Sequence, residues 1–275
     1  KLMPKLSFVQ GRLSSEVAGR YQYFPIHNWE NEFYKAKELG FDGIEWIISD
    51  LSSPIFNPKA RNEIINIVMT TGIDITSINL DLLMYKTLEK YSWEEICWIF
   101  DSINLIADKV NLIRVTVPVE ESCGVKDAVT AFQVTKQLQK ILDYNMNCEY
   151  LIAIETDLSP IGAQAFLSQK ELNKLFLLVD IGNIAAYGYK LEDYFLEALI
   201  PKICSLHIKD RAVGIGPTRP LGSGSAEFSY LKDNIYRLEF LKDIVLQTYK
   251  TSDNYVHDLI QAKGFVDLNI LGRNK

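Results

Sequence analysis

Three short apolar segments of the sequence each end in a residue that can bind a metal ion. The segments are 151–155, 177–180 and 204–207, and they end in Glu155, Asp180 and His207. Glu155 and Asp180 are 25 residues apart, and Asp180 and His207 are 27 residues apart. This spacing is about one strand–helix–strand step of a parallel sheet, so the three side chains should meet at one sheet edge. The pattern predicts a divalent metal site.

Two residues near these strand ends could assist the chemistry. Asp157 follows Glu155 by two positions and could act as a helper acid or cap a loop. Lys209 follows His207 by two positions, so it should share the face of His207 and bind a substrate oxygen or a phosphate.

Two uncharged residues complete the predicted site. Gly182 permits a tight turn that brings Asn183 back toward Asp180, as a ligand or as a hydrogen-bond partner of the substrate. Gln247 ends the last predicted strand and could coordinate the metal through its carbonyl oxygen or hydrogen-bond the substrate. An amide cannot act as a base, so Gln247 limits the chemistry of the site.

The other predicted strand ends supply candidates for substrate binding. Glu45 could hold hydroxyl groups, and Trp46 could offer an apolar face to a sugar ring, although core or surface roles are common for such residues. The predicted substrate-binding residues are Arg12, Glu45, Trp46, Asn79, Asn183 and Arg211.

A glycine-containing segment, residues 221–225, follows the seventh predicted strand. Its backbone N–H groups could bind a phosphate, with Arg219 or Arg12 adding positive charge. A mobile loop explains the same residues equally well.

Apolar, strand-like segments alternate with segments of helical periodicity along nearly the whole chain. This alternation predicts a single (β/α)8 TIM barrel domain over residues 1–275, because the alternative open sheet lacks its GxGxxG turn after the first strand. The predicted strands are 6–9, 43–47, 75–79, 112–117, 151–155, 176–180, 203–208 and 244–247. The predicted helices are 29–39, 58–69, 93–109, 125–145, 162–175, 191–199 and 254–263.

The composition excludes several other classes of protein. The net charge is −6 and basic residues are scattered, which disfavours nucleic acid as a partner. There is no apolar stretch of signal-peptide or membrane-spanning length, so we expect a soluble, cytoplasmic protein with no membrane partner. The four cysteines form no CxxC pair, and we expect them to be reduced packing residues.

Several motifs in order resemble the xylose isomerase-like TIM barrel superfamily, the sugar phosphate isomerase/epimerase group. They are Gly40-Phe-Asp-Gly-Ile-Glu45, Ile154-Glu155, Val179-Asp-Ile-Gly-Asn183, His207-Ile-Lys-Asp210 and Leu221-Gly-Ser-Gly224. The order and spacing of these motifs cover most of the chain.

The resemblance implies one divalent ion, manganese, magnesium, zinc or cobalt, held by Glu155, Asp180 and His207. Gln247 stands where relatives usually carry a second glutamate, and Asn183 stands where several carry a histidine. The implied partner is a small-molecule sugar or sugar phosphate, and the assembly to test is a homodimer or homotetramer.

The implied reaction is proton transfer next to a sugar carbonyl through an enediolate, with Glu155 as ligand and base and with Asp157 or Glu45 in reserve. Epimerisation needs two proton carriers, so Gln247 favours isomerisation, or an epimerase that recruits Lys209 or Asp157. A lyase resembling inosose dehydratase and a non-catalytic sugar-binding barrel stay open as alternatives. A nuclease of the endonuclease IV type is disfavoured, because it needs many histidines and this chain has three.

Overall fold

Eight parallel strands close into a barrel in the computed structural model, which describes residues 3–272. Around the barrel, each strand pairs with its neighbours in chain order, and the last strand pairs with the first. This arrangement confirms the predicted (β/α)8 fold. The barrel strands are β1 Lys5–Val9, β2 Gly43–Ile47, β3 Asp74–Asn79, β4 Arg114–Val119, β5 Leu151–Thr156, β6 Phe176–Asp180, β7 Ile203–Ile208 and β10 Asp243–Leu246. The strands β8 Asp210–Arg211 and β9 Thr218–Arg219 form a separate antiparallel pair.

The predicted strands agree with the structure except at a few ends. The largest difference is at β4, which was predicted to end at Val117 but continues through Pro118 to Val119. Proline usually ends a strand because it lacks an N–H donor. In this barrel Pro118 still pairs in register with Glu155 of β5, so the strand runs on.

Helices follow the strands around the barrel, although the helix predicted over 162–175 ends at Leu167 and the helix predicted over 191–199 ends at Tyr194. A capping box begins one of them, since Ser92 accepts from the backbone N–H of Glu95 while the Glu95 carboxylate accepts from the N–H of Ser92. Within residues 3–272 the α-helices are α1 Trp29–Glu38, α2 Pro58–Thr71, α3 Trp93–Asn104, α4 Ala128–Tyr144, α5 Pro160–Leu167, α6 Ile181–Ala186, α7 Leu191–Tyr194, α8 Phe228–Asn234 and α9 Tyr255–Asn269. Helices α6 and α8 were not predicted. Helix α6 begins at Ile181, inside the segment that the sequence analysis interpreted as a turn.

Charged side chains lie inside the barrel, where apolar side chains are usual. The guanidinium of Arg114 donates to the carboxylates of Glu45, at 2.9 Å, and Asp243, at 3.0 Å, and all three side chains are fully buried. Thr116 is a further partner of Arg114. These residues belong to β2, β4 and β10, so the ion pairs connect strands that are not neighbours.

The described residues contain no helix with both the length and the hydropathy needed to cross a bilayer.

The predicted domain covers residues 1–275, and its first two and last three residues lie outside the described part of the chain.

Replacing Arg114 by methionine should destabilise the fold strongly. The variant leaves two carboxylates buried without their shared cation, and we expect the free energy of unfolding to fall by about 3–5 kcal/mol. Urea denaturation measures this loss. The matched control is Lys190→Met, which removes one partner of an exposed ion pair with Glu192 and should change stability by less than about 0.5 kcal/mol. A loss for Arg114→Met no larger than that of the control would contradict the assigned role.

Candidate active site

The structure brings Glu155, Asp180 and His207 together at neighbouring strands. One ligand atom from each side chain can be chosen so that the atoms all lie within 4.8 Å of one another, and all three residues are buried. Asp180 and His207 pair directly in register between β6 and β7, while Glu155 is placed by β5. The predicted juxtaposition of the three side chains is therefore present at the carboxyl ends of the strands.

The histidine ring is oriented as a metal ligand would be. Its Nε2 atom lies 2.9 Å from Glu45 Oε1 and its Nδ1 atom lies 3.7 Å from Glu155 Oε2, and neither buried ring nitrogen has a hydrogen-bond partner of good geometry. Histidines that bind metals commonly contact a carboxylate through the second ring nitrogen. With one imidazole and two carboxylates, the donor set suits a divalent cation. The residues present therefore fit the ion that the resemblance implies.

Lys209 lies beside this group. Its Nζ atom is 2.8 Å from Asp180 Oδ2 and donates to Gln247 Oε1 at 3.0 Å. Burial by itself raises the pKa of Asp180, but the charge of Lys209 and the hydrogen bond from the backbone N–H of Asn183 help to hold that pKa below its ordinary value. The oxygen through which Gln247 was predicted to bind metal is thus engaged by Lys209, and its role as a ligand stays a prediction.

A small polar cavity of about 190 Å³ lies at this end of the barrel. Six of the predicted site residues line it, namely Asn79, Glu155, Asn183, Lys209, Arg211 and Gln247. Two larger surface clefts border α8 and α9, outside the Glu155–Asp180–His207 group. The small cavity is therefore the candidate site, because it alone among these three is lined by a member of that group, Glu155.

Glu120 is a cavity residue that the sequence interpretation missed. Its Oε2 atom accepts a hydrogen bond from Asn183 Nδ2 at 3.2 Å, and the same nitrogen lies 3.5 Å from Glu155 Oε1. Burial raises the pKa of both Glu120 and Glu155, and repulsion from the Asp180 carboxylate raises both further. The carboxylate of Glu120 also raises the pKa of Glu155. Glu120 follows β4 directly, so it obeys the same rule of an apolar strand followed by a carboxylate. The signal was hidden because the predicted strand ended three residues earlier.

A chain of amide hydrogen bonds forms the opposite part of the wall. Gln247 Nε2 donates to Gln22 Oε1 at 3.0 Å, and Gln22 Nε2 donates to Asp81 Oδ2 at 3.0 Å. Burial raises the pKa of Asp81 to about 6. Each amide is held at both ends, so the orientation of both glutamines is fixed.

Three of the residues predicted to bind substrate do not line the cavity. Glu45 is buried in the barrel, where it contacts His207 and Arg114. Trp46 points to the opposite face, as the alternation of a strand requires, and packs against Phe24 in the core. Arg12 is also buried, and its Nε atom donates to the carbonyl oxygen of Thr248.

The predicted helper acid Asp157 has a structural role. Its Oδ2 atom accepts a hydrogen bond from the backbone N–H of Glu121 at 2.8 Å, which fixes the loop after β4. Asp157 is not among the residues that line the cavity. The pleat of β5 aims Glu155 into the site, but the chain has already left the strand at Asp157.

The predicted phosphate pocket in residues 221–225 is not formed. Asp210 is fully buried, and its carboxylate accepts hydrogen bonds from the N–H groups of Gly222, Gly224 and Ala226 at 2.9, 2.9 and 3.0 Å. Arg211 donates to Asn183 Oδ1 at 2.7 Å and to the carbonyl oxygen of Gly216 at 2.9 Å.

Comparison with known proteins identifies the fold but gives no sequence relative. No protein-family model matches the chain, and no curated protein matches it significantly. Solved structures match over nearly the whole length. An IolI protein with bound zinc has a TM-score of 0.71 at 15% identity, covering 98% of this chain and 99% of its own. A D-psicose 3-epimerase studied with D-fructose has a TM-score of 0.71 at 13% identity, covering 97% and 99%.

A xylose isomerase-like TIM barrel protein from Mycobacterium smegmatis, in complex with magnesium, matches with a TM-score of 0.67 at 15% identity, covering 99% of this chain and 98% of its own. A sugar phosphate isomerase/epimerase is also among the matching structures. At these identities the likeness concerns the fold. The chain has the fold of the xylose isomerase-like TIM barrels, as its motifs predicted.

Proposed function

We propose that the protein is a metal-dependent isomerase or epimerase that moves a proton next to the carbonyl group of a sugar. The observation that carries this proposal is the convergence of Glu155, Asp180 and His207 at the carboxyl ends of the strands, where Glu155 also lines a small polar cavity. In TIM barrels this face is where active sites lie. Support comes from three matching structures: one with bound zinc, one in complex with magnesium, and a D-psicose 3-epimerase in the presence of D-fructose.

The metal would be held by Glu155, Asp180 and His207, with Gln247 as a candidate fourth ligand. A divalent ion supplies Lewis-acid polarisation of sugar oxygens when it is bound. Zinc and magnesium are supported by the matching structures, and manganese and cobalt suit the same donor set.

The proton carriers are carboxylates of the cavity. Glu155 is the proposed base, and Glu120 is a second carrier connected to it through the amide of Asn183. The sequence favoured isomerisation because Gln247 stands where a second acid was expected. Because Glu120 supplies that acid from another strand, epimerisation is within reach of the same site. Lys209, ion-paired with Asp180, is better suited to bind a substrate oxygen than to exchange protons.

Glu155→Gln should abolish proton exchange. The side-chain amide of the introduced glutamine cannot accept the proton, so we expect the rate of proton exchange to fall by at least about 100-fold. The measurement is NMR of deuterium incorporation from solvent into a panel of ketoses, with manganese, magnesium, zinc or cobalt added. Glu149→Gln is the matched control, since Glu149 is exposed near the other end of β5 and should leave the rate unchanged. Full exchange by a folded Glu155→Gln protein would refute the assignment.

Glu45→Gln should weaken metal binding through His207. The variant removes the charge that faces His207 Nε2, and loss of such a supporting carboxylate commonly costs about 10–100-fold in metal affinity. Isothermal titration calorimetry with zinc or manganese measures the dissociation constant, after circular dichroism has shown that the variant is folded.

Asp243→Asn controls for damage to the ion pairs inside the barrel. It removes the other carboxylate that pairs with Arg114 and does not face the His207 ring. We expect its metal affinity to stay close to that of the unaltered protein. Equal affinities for Glu45→Gln and the unaltered protein would show that Glu45 does not position the histidine.

A further inference from the structure

We propose that the substrate of this cavity is a sugar without a phosphate group, a neutral ketose or a related polyol. The inference rests on the proposed function and specifies its substrate class. Three observations carry it: the state of the glycine loop, the balance of charge around the cavity, and one unpaired hydrogen-bond acceptor on a residue that lines the cavity.

The loop best suited to bind a phosphate is already occupied by the chain itself. Phosphate sites of this kind use several backbone N–H groups that converge on one anion. In residues 221–226 the converging N–H groups of Gly222, Gly224 and Ala226 are all directed to the buried Asp210 carboxylate. Asp210 takes the position that an anionic ligand would need, so this loop has no such donors left for a phosphate.

The charges that line the cavity disfavour an anionic substrate. Four carboxylates line it and two basic side chains face them. Both basic groups are engaged, since Lys209 contacts Asp180 and Gln247, and Arg211 donates to Asn183 and a backbone carbonyl. A divalent ion would offset only the negative charges of the carboxylates that bind it, those of Glu155 and Asp180. A phosphate would therefore stand next to the carboxylate of Glu121, where like charges repel at short range.

The unpaired groups of the cavity suit hydroxyl donors. The Oδ1 atom of Asn79 is buried and has no hydrogen-bond partner, although Asn79 lines the cavity. Carboxylates and an amide oxygen accept hydrogen bonds, and the hydroxyl groups of a sugar donate them. A volume of about 190 Å³ is below the roughly 300–1,000 Å³ of drug-sized ligand sites, which suits a small ligand.

The test compares free and phosphorylated ketoses on the metal-loaded protein. The probes are D-fructose, D-psicose, D-fructose 1-phosphate and D-fructose 6-phosphate, and the readout is solvent deuterium exchange expressed as kcat/KM. We expect the better free ketose to exceed both phosphate esters by at least about tenfold, the effect of one unfavourable charge contact. A phosphate ester that is turned over faster than both free ketoses would overturn the proposal.

A charge variant tests the reason for this preference. Glu121→Gln removes one negative charge from the cavity wall, so the disadvantage of the phosphate esters should shrink by about threefold or more, and added salt should reduce it as well. The matched control is Glu171→Gln, an exposed glutamate that precedes β6 at the other end of the barrel and should have no effect. An unchanged ratio in Glu121→Gln would remove the electrostatic explanation and count against the proposal.

Failure of the proposed function is distinguished by a binding measurement. If none of the four sugars exchanges protons, the proposed reaction is wrong for these sugars, and ligand-observed NMR then compares their binding directly, with inorganic phosphate as a competitor. Binding of a free ketose that phosphate does not displace supports the neutral substrate class. Preferential binding of a phosphate ester, or binding of none of the sugars, overturns it.

Discussion

The site depends on one buried contact, between the imidazole of His207 and the carboxylate of Glu45. A carboxylate inside a barrel is costly unless it is paired, and Glu45 is paired with Arg114, which in turn requires Asp243. The result is a row of alternating charges across the interior that ends at the candidate metal ligand. These residues come from four different strands, so the strand pairing that closes the barrel also brings together the groups that orient the histidine. The charged residues inside the barrel therefore orient the histidine, which apolar side chains could not do.

The geometry of parallel strands places the remaining groups. Side chains at the carboxyl ends of β5, β6 and β7 converge, while the loops after β3, β4 and β10 supply amides and carboxylates around the cavity. The same geometry explains why adjacent residues have unrelated roles. Glu45 faces the interior and Trp46 faces the helices, so one supports the histidine and the other packs in the core.

The barrel and the proximity of Glu155, Asp180 and His207 could be predicted from sequence, because both follow from the period of strand and helix and from the residue at each strand end. Other features depend on contacts that the sequence does not display. Glu120 was missed because Pro118 hid the end of β4. The anion-binding appearance of residues 221–225 was misleading, because the anion that fills the loop is Asp210, eleven or more positions earlier in the chain. Arg12 and Glu45 were assigned to substrate because burial and partners across the barrel cannot be read from local pattern.

The row of amides along the cavity wall has a direction. It begins at the ammonium of Lys209, passes through Gln247 and Gln22, and ends at the carboxylate of Asp81. An amide donates at one end and accepts at the other, so turning either glutamine over would set donor against donor and acceptor against acceptor. The wall therefore presents one fixed, chiral pattern of hydrogen-bonding groups. If the proposed function is right, a sugar and its mirror image would not match that pattern equally well, and binding would distinguish them before any proton moves.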